Sequence, residues 1–465
     1  MTQAHSAPTE LGSEGIGKLL KKYAVPGIIA MTASSLYNMV DSIFIGHIPE
    51  VGSLALSGLA VTFPLMNLGS ALGTLVGVGG STLVSVMLGQ KNYDASNKVL
   101  ANVVTLNCIT GLLFTMLCLP FLDKILYFFG ASANTIKYAR DYMLIILIGN
   151  VITHLYFGLN SMIRSAGNPR LAMGLTLFTV ISNTILDPIF IYVFKLGIQG
   201  AAIATVLCQV LALSYSLRYF SRKENVLHLP KKVFALDWRI AKDSLSIGMG
   251  PFLMNAASCI VTMFINQQLL KYGGDMALGA YGIVNRINFL FIMIIMGFNQ
   301  GMQPIAGYNF GARQYSRVKK VYGLTAMWAT LVCVFWFLGS EVFPDFMISI
   351  FTSDPQLKDI AERGIRAMNP IVPFVGWQMV STNFFQSLGM VKKSIFLSLT
   401  RQLLFLVPLV YILPSFLDLR GVFFAFPCSD ALAAITTLIL IHNLFRKFSK
   451  LSDGDQPDLL GSNIR

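Results

Sequence analysis

The sequence predicts an all-α polytopic membrane protein with twelve transmembrane helices arranged in two pseudo-symmetric six-helix bundles. Of its 465 residues, 54% are hydrophobic and 12% are charged, which is about half the charged fraction of a soluble domain. Its apolar runs, such as LIILIGNVITHLYFGL, are long enough to cross a bilayer as helices and lack the ~10-residue alternation of an outer-membrane barrel. The third observation is an internal repeat. Together these features exclude a soluble domain and a barrel.

Glycine, proline and charged residues divide the apolar runs into twelve predicted spans, numbered here in chain order. Within span 2, Gly69, Gly73 and Gly77 recur at four-residue spacing, which is typical of a face on which another helix packs closely. The predicted spans cover residues 19–45, 54–88, 97–120, 136–158, 171–194, 198–220, 240–269, 277–310, 317–340, 357–385, 394–413 and 421–445.

The repeat relates the two halves of the chain by one fixed offset. LGQKNYDASNKV (88–99) aligns with FGARQYSRVKKV (310–321), and at the same offset RSAGNPR aligns with QSLGMVK after the fourth span of each half. Since each half has an even number of spans, the halves share one orientation, an arrangement common in transporters. The predicted regions are a disordered tail (1–16), an N-terminal bundle (17–220), a linker (221–239), a C-terminal bundle (240–445) and a second tail (446–465).

Lysine and arginine are concentrated at both termini and in the connections on one side of the predicted spans. By the positive-inside rule both termini are predicted to be cytoplasmic. The formal net charge of +13 then reflects topology and contact with anionic lipid, and we expect no nucleic-acid partner. The six cysteines lie singly in apolar segments and are interpreted as small buried side chains.

Few ionisable residues fall inside the predicted spans, and each is a functional candidate because burying a charge in lipid is costly. They are Asp41, Asp187, Arg286, Arg401 and Asp430. Either arginine could pair with Asp430 or with backbone carbonyls, and the sequence leaves this open.

Asp41 in span 1 and Asp187 in span 5 are predicted to lie at similar depth. Tyr37 and Asn183 each precede an acid by four residues and so share its helix face, and Thr205 of span 6 reaches about the same layer. Buried carboxyl groups without a basic neighbour resist full ionisation, which favours proton binding. The same oxygens suit sodium, for which Asp41 and Asp187 would be metal ligands. Alternatively, Asp41 lies at the outer interface and Asp187 marks a helix break.

The second half has no counterpart to these acids but is rich in neutral amides. With the 21 methionines and 34 phenylalanines of the chain, amides can line a cavity for amphipathic organic solutes. Interhelical hydrogen bonds are the alternative interpretation. The candidate cavity residues are Asn285, Gln300, Gln303, Gln378 and Asn383.

The sequence offers little support for nucleotide binding or for enzymatic chemistry. GSEGIGKL (12–19) approaches a P-loop, but Leu19 stands where the magnesium-binding Ser or Thr would be, and no strand is predicted before it. The sequence shows no paired catalytic residues at a recognisable spacing. We therefore expect no enzyme activity and no cofactor, and transport driven by an ion gradient.

The chain resembles the multidrug and toxic compound extrusion (MATE) family, in its DinF-like or MepA-like branch, over roughly residues 17–445. The resemblance rests on AVPGIIAMTASSLYNMVDSIFIG in span 1, the AGNPR connection, NTILDP in span 5 and GIQGAAIAT entering span 6. It implies a two-bundle exporter of cationic amphipathic drugs, with the coupling cation held by the first-half cluster. The NorM-like branch also places acids in spans 7 and 10. Here span 7 carries only Asp243, at its inner end, and span 10 has no acid beyond Glu362.

The predicted function is therefore multidrug efflux by alternating access, driven by protons or sodium, in a bacterial inner membrane. The expected partners are small amphipathic molecules and membrane lipids, and the expected state is a monomer. A lipid-linked precursor flippase of the wider superfamily is the main alternative, although a more basic cavity would be expected for its pyrophosphate. A passive channel and a membrane-embedded transferase are the other classes.

Overall fold

The computed structural model describes residues 10–456, apart from the side chains of Met39, Ser53 and Asp275. Within this range the chain is almost entirely helical and contains no β-strand. Ten helices are long and apolar enough to cross a membrane, and a bent pair, Ile136–Ile148 and Asn150–Ser165, forms an eleventh span with a 56° kink. The chain is therefore a multi-pass membrane protein.

The observed helices match the predicted spans and extend most of them by a few residues. Span 10 is divided into Pro355–Met368 and Val372–Ser387, and the first of these helices is rich in charged residues. The other spans are Ile16–Gly46, Leu54–Gly89, Tyr93–Phe128, Pro169–Val193, Ile198–Ser221, Trp238–Gly274, Met276–Gly311, Tyr315–Val342, Val391–Ile412 and Pro414–Phe448.

Two spans contain a stretch of π-helix. In span 5, the α-helix Pro169–Pro188 continues as the π-helix Ile189–Val193. In span 11, the π-helix Thr400–Leu406 lies between two α-helical segments. Because a π-helix leaves the regular ladder of backbone hydrogen bonds, it commonly marks a functional position.

The backbone reproduces the repeat found in the sequence. Lys91 and Arg313, which occupy equivalent positions of the repeat, both have a positive φ, of 60° and 58°. Gly167 and Gly389, a second equivalent pair, have φ values of 99° and 68°. Since positive φ is uncommon outside glycine, its recurrence at matched turns confirms that the two halves share one chain path.

The chain forms two compact units. The first comprises Ile29–Phe252, and the second comprises Glu14–Ile28 together with the residues from Leu253 onward. The first part of span 1 thus groups with the second unit, and the first part of span 7 groups with the first. The predicted division at residues 221–239 follows chain order and could not include this exchange.

The predicted disordered tail, residues 1–16, is wrong at its inner end. Glu10–Ser13 forms a short helix, and Leu11 and Ile16 are buried. These apolar side chains gain stability by leaving water, which a purely polar tail could not do. Residues 1–9 of the tail lie outside the described residues, as do residues 457–465 of the second tail.

Glycines permit the closest helix contacts. As predicted, the glycine face of span 2 packs on span 4: a Cβ at Gly73 would lie 3.2 Å from the His154 ring, and one at Gly77 would lie 3.0 Å from the Cα of Gly158. His154 is fully buried there, with Nδ1 3.3 Å from the Thr110 hydroxyl, as expected of a core residue. Such contacts fix the helices that carry the polar residues described next.

Candidate functional site

The five residues predicted to form the first-half cluster do come together. The Tyr37 hydroxyl lies 3.0 Å from Oγ1 of Thr205, and Nδ2 of Asn183 lies 3.4 Å from the same tyrosine oxygen. Thr205 donates to Oδ1 of Asn183 at 3.3 Å, and Asn183 donates to Oδ1 of Asp187 at 2.8 Å. Spans 1, 5 and 6 are therefore joined by one polar network.

The two acids face each other inside this network. Asp41 and Asp187 are within side-chain hydrogen-bonding reach, and their residues are 5% and 0% exposed. Among the described residues, neither Oδ1 of Asp41 nor Oδ2 of Asp187 receives a hydrogen bond from a donor. Asp41 is therefore shielded by protein, while its depth in the membrane stays a prediction. A proton held by one carboxyl group would supply a hydrogen-bond donor to the other.

Local helix chemistry positions Asp187. Asn183 precedes it by four residues, so both side chains project from one face. Pro188 follows directly, and the π-helix Ile189–Val193 begins after it. The Tyr192 hydroxyl donates to the backbone oxygen of Phe44 at 2.7 Å, which ties the π-helix to span 1 a short distance beyond Asp41.

Sequence reasoning missed two neighbours of the acids. Tyr142 of span 4 is buried and lies within electrostatic range of both Asp41 and Asp187. Cys208 of span 6 is also buried and lies within range of Asp187. No spacing along the chain relates either residue to the acids, because they approach from helices whose orientation is set by packing.

The predicted cavity residues of the second half all lie in the second unit. Asn285 is exposed, Gln300 and Asn383 are half-buried, and Gln303 and Gln378 are buried. On spans 8 and 10 these side chains therefore range from buried to exposed. Their assignment to a substrate cavity stays a prediction.

The structure decides between the two intramembrane arginines. Nε of Arg401 donates to Oδ1 of Asp430 at 2.7 Å, and the Ser429 hydroxyl donates to the backbone oxygen of Arg401 at 2.8 Å. Arg286 is exposed. The second half therefore contains a compensated ion pair, on the π-helix of span 11, where the first half contains a pair of acids.

Comparisons with known proteins agree with this architecture. A family model described as MatE matches residues 26–189 and 247–412. The multidrug export protein MepA of Staphylococcus haemolyticus (strain JCSC1435) is 27% identical over 434 residues, covering 92% of this chain and 94% of that protein. MepA of Staphylococcus aureus (strain MSSA476) is 26% identical over 427 residues, with the same coverage of both chains.

Solved structures show the same fold. An outward-facing multidrug resistance MATE family transporter of the MOP superfamily superimposes with a TM-score of 0.89 at 23% identity, over 97% of this chain and all of that one. A MOP superfamily transporter from Pyrococcus furiosus, described as having a binding pocket of reverse polarity, gives the same TM-score and coverage. Because the family model covers most of the chain, the chain belongs to the MatE family of multidrug efflux transporters, in its MepA-like branch, and has the twelve-helix fold of that family.

Proposed function

We propose that this protein is a proton-coupled antiporter that exports amphipathic, mostly cationic organic compounds by alternating access. It lies in the bacterial cytoplasmic membrane with both termini in the cytoplasm, in agreement with the distribution of lysine and arginine. The relatives that carry the name multidrug export protein support this substrate class. The observation that carries the coupling proposal is the buried pair Asp41 and Asp187.

The Asp41–Asp187 pair suits a proton because binding or releasing one proton changes the net charge of the pair by one unit. Two carboxylates at hydrogen-bonding distance repel each other when both are ionised, and burial raises the energy of each charge. No lysine or arginine among the described residues forms an ion pair with either acid. Protonation relieves the repulsion and supplies the missing donor, so occupancy by a proton changes the packing energy of spans 1 and 5.

Asp41→Asn and Asp187→Asn test the proposal in proteoliposomes with an imposed pH gradient. Each variant keeps the side-chain shape but has lost the titrating oxygen, and we expect proton-driven export to fall to background. Asp94→Asn, an exposed acid at the start of span 3, is the matched control and should transport at the parent rate. Export by the folded Asp41 and Asp187 variants at the parent rate would contradict the proposal.

A second arm identifies the ion. With the pH gradient collapsed by a protonophore, a sodium gradient should not restore export by the parent protein. If it does, Asp41 and Asp187 serve as oxygen ligands of sodium, and the proton proposal is overturned.

A further inference from the structure

A row of polar side chains, here called the polar stripe, joins span 4 to span 5 on the side of the acid pair that leads to the 166–168 connection. The Tyr156 hydroxyl lies 3.3 Å from Oγ1 of Thr179. One turn further along, Nδ2 of Asn160 donates to Oγ1 of Thr176 at 3.2 Å. The polar stripe consists of these four residues, and the five-residue cluster around the acids uses none of them.

The polar stripe is aligned with the acids. Thr176, Thr179, Asn183 and Asp187 are spaced by three or four residues on span 5 and therefore lie along one helix face. Between Thr179 and Asn183 the separation is one turn, about 6 Å of helical rise. The face is thus polar from Asp187 to Thr176, seven residues from the start of span 5 at Pro169.

The burial of the stripe suits the passage of protons. Tyr156 and Asn160 are 4% and 5% exposed, while Thr176 and Thr179 are half-buried. A hydroxyl both donates and accepts hydrogen bonds, so it can take up one proton while releasing another. Hydrogen bonds that only hold two helices together would not need to lie on the same helix face as the acid pair.

Charged and titratable groups around the stripe are few. Nη2 of Arg164, at its inner end, lies 3.5 Å from Oδ1 of Asn160 and orients the amide so that Nδ2 faces Thr176. The guanidinium also disfavours a resident metal cation at this end, since like charges repel. Around the acids the titratable neighbours are Tyr37, Tyr142 and Cys208.

We propose that the polar stripe is the route by which the proton leaves the Asp41–Asp187 pair for the cytoplasm. This inference rests on the proposed function, since it concerns the same proton. Asp187 and Thr179 are eight residues apart, about 12 Å of helical rise, so the protonated carboxyl group passes its proton first to a water beside Asn183 and from there to the Thr179 hydroxyl. Each acceptor releases a different proton toward Thr176. One carboxylate remains behind and one proton appears at the cytoplasmic end, so only O–H bonds break and form.

The test is the Tyr156→Phe/Thr179→Val double variant, which removes two hydroxyls with little change of shape. In proteoliposomes carrying a pH indicator on the cytoplasmic side, we expect substrate-driven proton release to slow on the order of tenfold or more, as on loss of a positioned proton-transfer group. The pH dependence of equilibrium drug binding should not change, because both acids are intact. Thr179→Ser, which keeps the hydroxyl, should release protons at the parent rate.

Thr184→Val is the matched control, because the Thr184 hydroxyl donates to a backbone oxygen of its own helix, as the Thr179 hydroxyl does, but lies outside the stripe. Proton release by the double variant at the parent rate, or equal slowing in Thr184→Val, would overturn the stripe proposal. If Asp41→Asn and Asp187→Asn abolish transport while the double variant remains fast, only the stripe proposal fails. If the aspartate variants transport normally, the proposed function itself fails.

Discussion

The two halves of the chain share a fold but differ in the charges beside their π-helices. In the first half, Asp187 precedes the π-helix of span 5 and faces Asp41, a second acid. In the second half, Arg401 belongs to the π-helix of span 11 and is bound to Asp430. An ion pair is already compensated and has little to gain from a proton, whereas two facing acids gain a donor and lose a repulsion. Under the proposed function, this difference would confine proton coupling to the first half.

The largest effect should come from removing one partner of the compensated pair. Asp430→Ala leaves Arg401 without its counter-charge, and we expect a loss of about 3 kcal/mol of stability, the low end for a buried pair because the arginine side chain is one-third exposed. Asp187→Asn should change stability by less than about 1 kcal/mol, since no opposite charge is left unpaired. Thermal unfolding in detergent measures both.

The double variant Arg401→Met/Asp430→Leu provides the control. Replacing both charges with apolar groups should restore most of the stability, and proton-driven export should remain. An Asp430→Ala protein as stable as the parent would break the comparison, because the second-half pair would then not be a compensated ion pair.

The halves are alike at two glycines, one in span 2 that packs on span 7 and one in span 8 that packs on span 1. Gly79 and Gly301 are equivalent positions of the repeat; a Cβ at Gly79 would overlap the backbone oxygen of Ser244, and one at Gly301 would lie 2.5 Å from Cα of Ala24. Gly79→Ala and Gly301→Ala should each destabilise the protein by about 1–3 kcal/mol through overpacking. Gly323→Ala, which meets nothing within 4 Å, should be neutral or stabilising by up to about 1 kcal/mol. Unequal losses at Gly79 and Gly301, measured by thermal unfolding, would show that the halves do not pack equivalently there.

Relations along one helix could be predicted from the sequence. The twelve spans follow from apolar length, the repeat follows from its fixed offset, and the pairing of Asp187 with Asn183 follows from their four-residue spacing. Relations between helices were harder to predict. That Asp41 meets Asp187 followed from their similar predicted depth. The approach of Tyr142 to the acids, and the pairing of Arg401 rather than Arg286 with Asp430, depend on how each helix is rotated about its axis. No local pattern in a single sequence shows that rotation.

The grouping of Glu14–Ile28 with the second unit was missed for a related physical reason. It depends on backbone contacts at Gly297 and Gly301, where Cβ atoms would meet Ile28 and Ala24. Glycine recurs often in membrane helices, and its spacing does not show which helix packs against it. The predicted boundary was drawn from chain order, which does not show such exchanges.

Each π-helix is anchored to a neighbouring span by a side-chain hydrogen bond. The Tyr192 hydroxyl ties the first π-helix to Phe44 of span 1. The Ser429 hydroxyl of span 12 binds the backbone oxygen of Arg401, which belongs to the second π-helix. Tyr192→Phe and Ser429→Ala should each lower stability by about 1 kcal/mol, the net contribution of one hydrogen bond. Only Tyr192→Phe should also slow proton-driven export, because its anchor adjoins Asp187. Equal slowing by both variants would mean that the two π-helices contribute alike to transport.

The smallest expected effect concerns how the third span of each half begins. Asn92 caps span 3 by accepting a hydrogen bond from the Ala95 amide at 3.2 Å. The equivalent residue of the second half, Gln314, makes no such bond. Asp453 of the C-terminal segment takes its place, accepting from the Ser316 amide at 2.9 Å and from the Ser316 hydroxyl. Asn92→Ala and Asp453→Ala should each cost about 1 kcal/mol or less, with Asp453 at the lower end because it is exposed.

The hydrogen bonds from Ser316 hold the pKa of Asp453 below its ordinary value of 3.8. A lowered pKa in the folded state means that this contribution is present above the ordinary value and is lost as the pH falls through the folded one. Hydrogen exchange of the Ser316 amide should therefore be faster in Asp453→Ala than in the parent at neutral pH. Adding Gln314→Asn gives span 9 a cap of its own, like Asn92, and should restore the stability of Asp453→Ala. Without that rescue, the C-terminal segment would hold span 9 by contacts other than the cap, and the two halves would differ in more than the source of one capping oxygen.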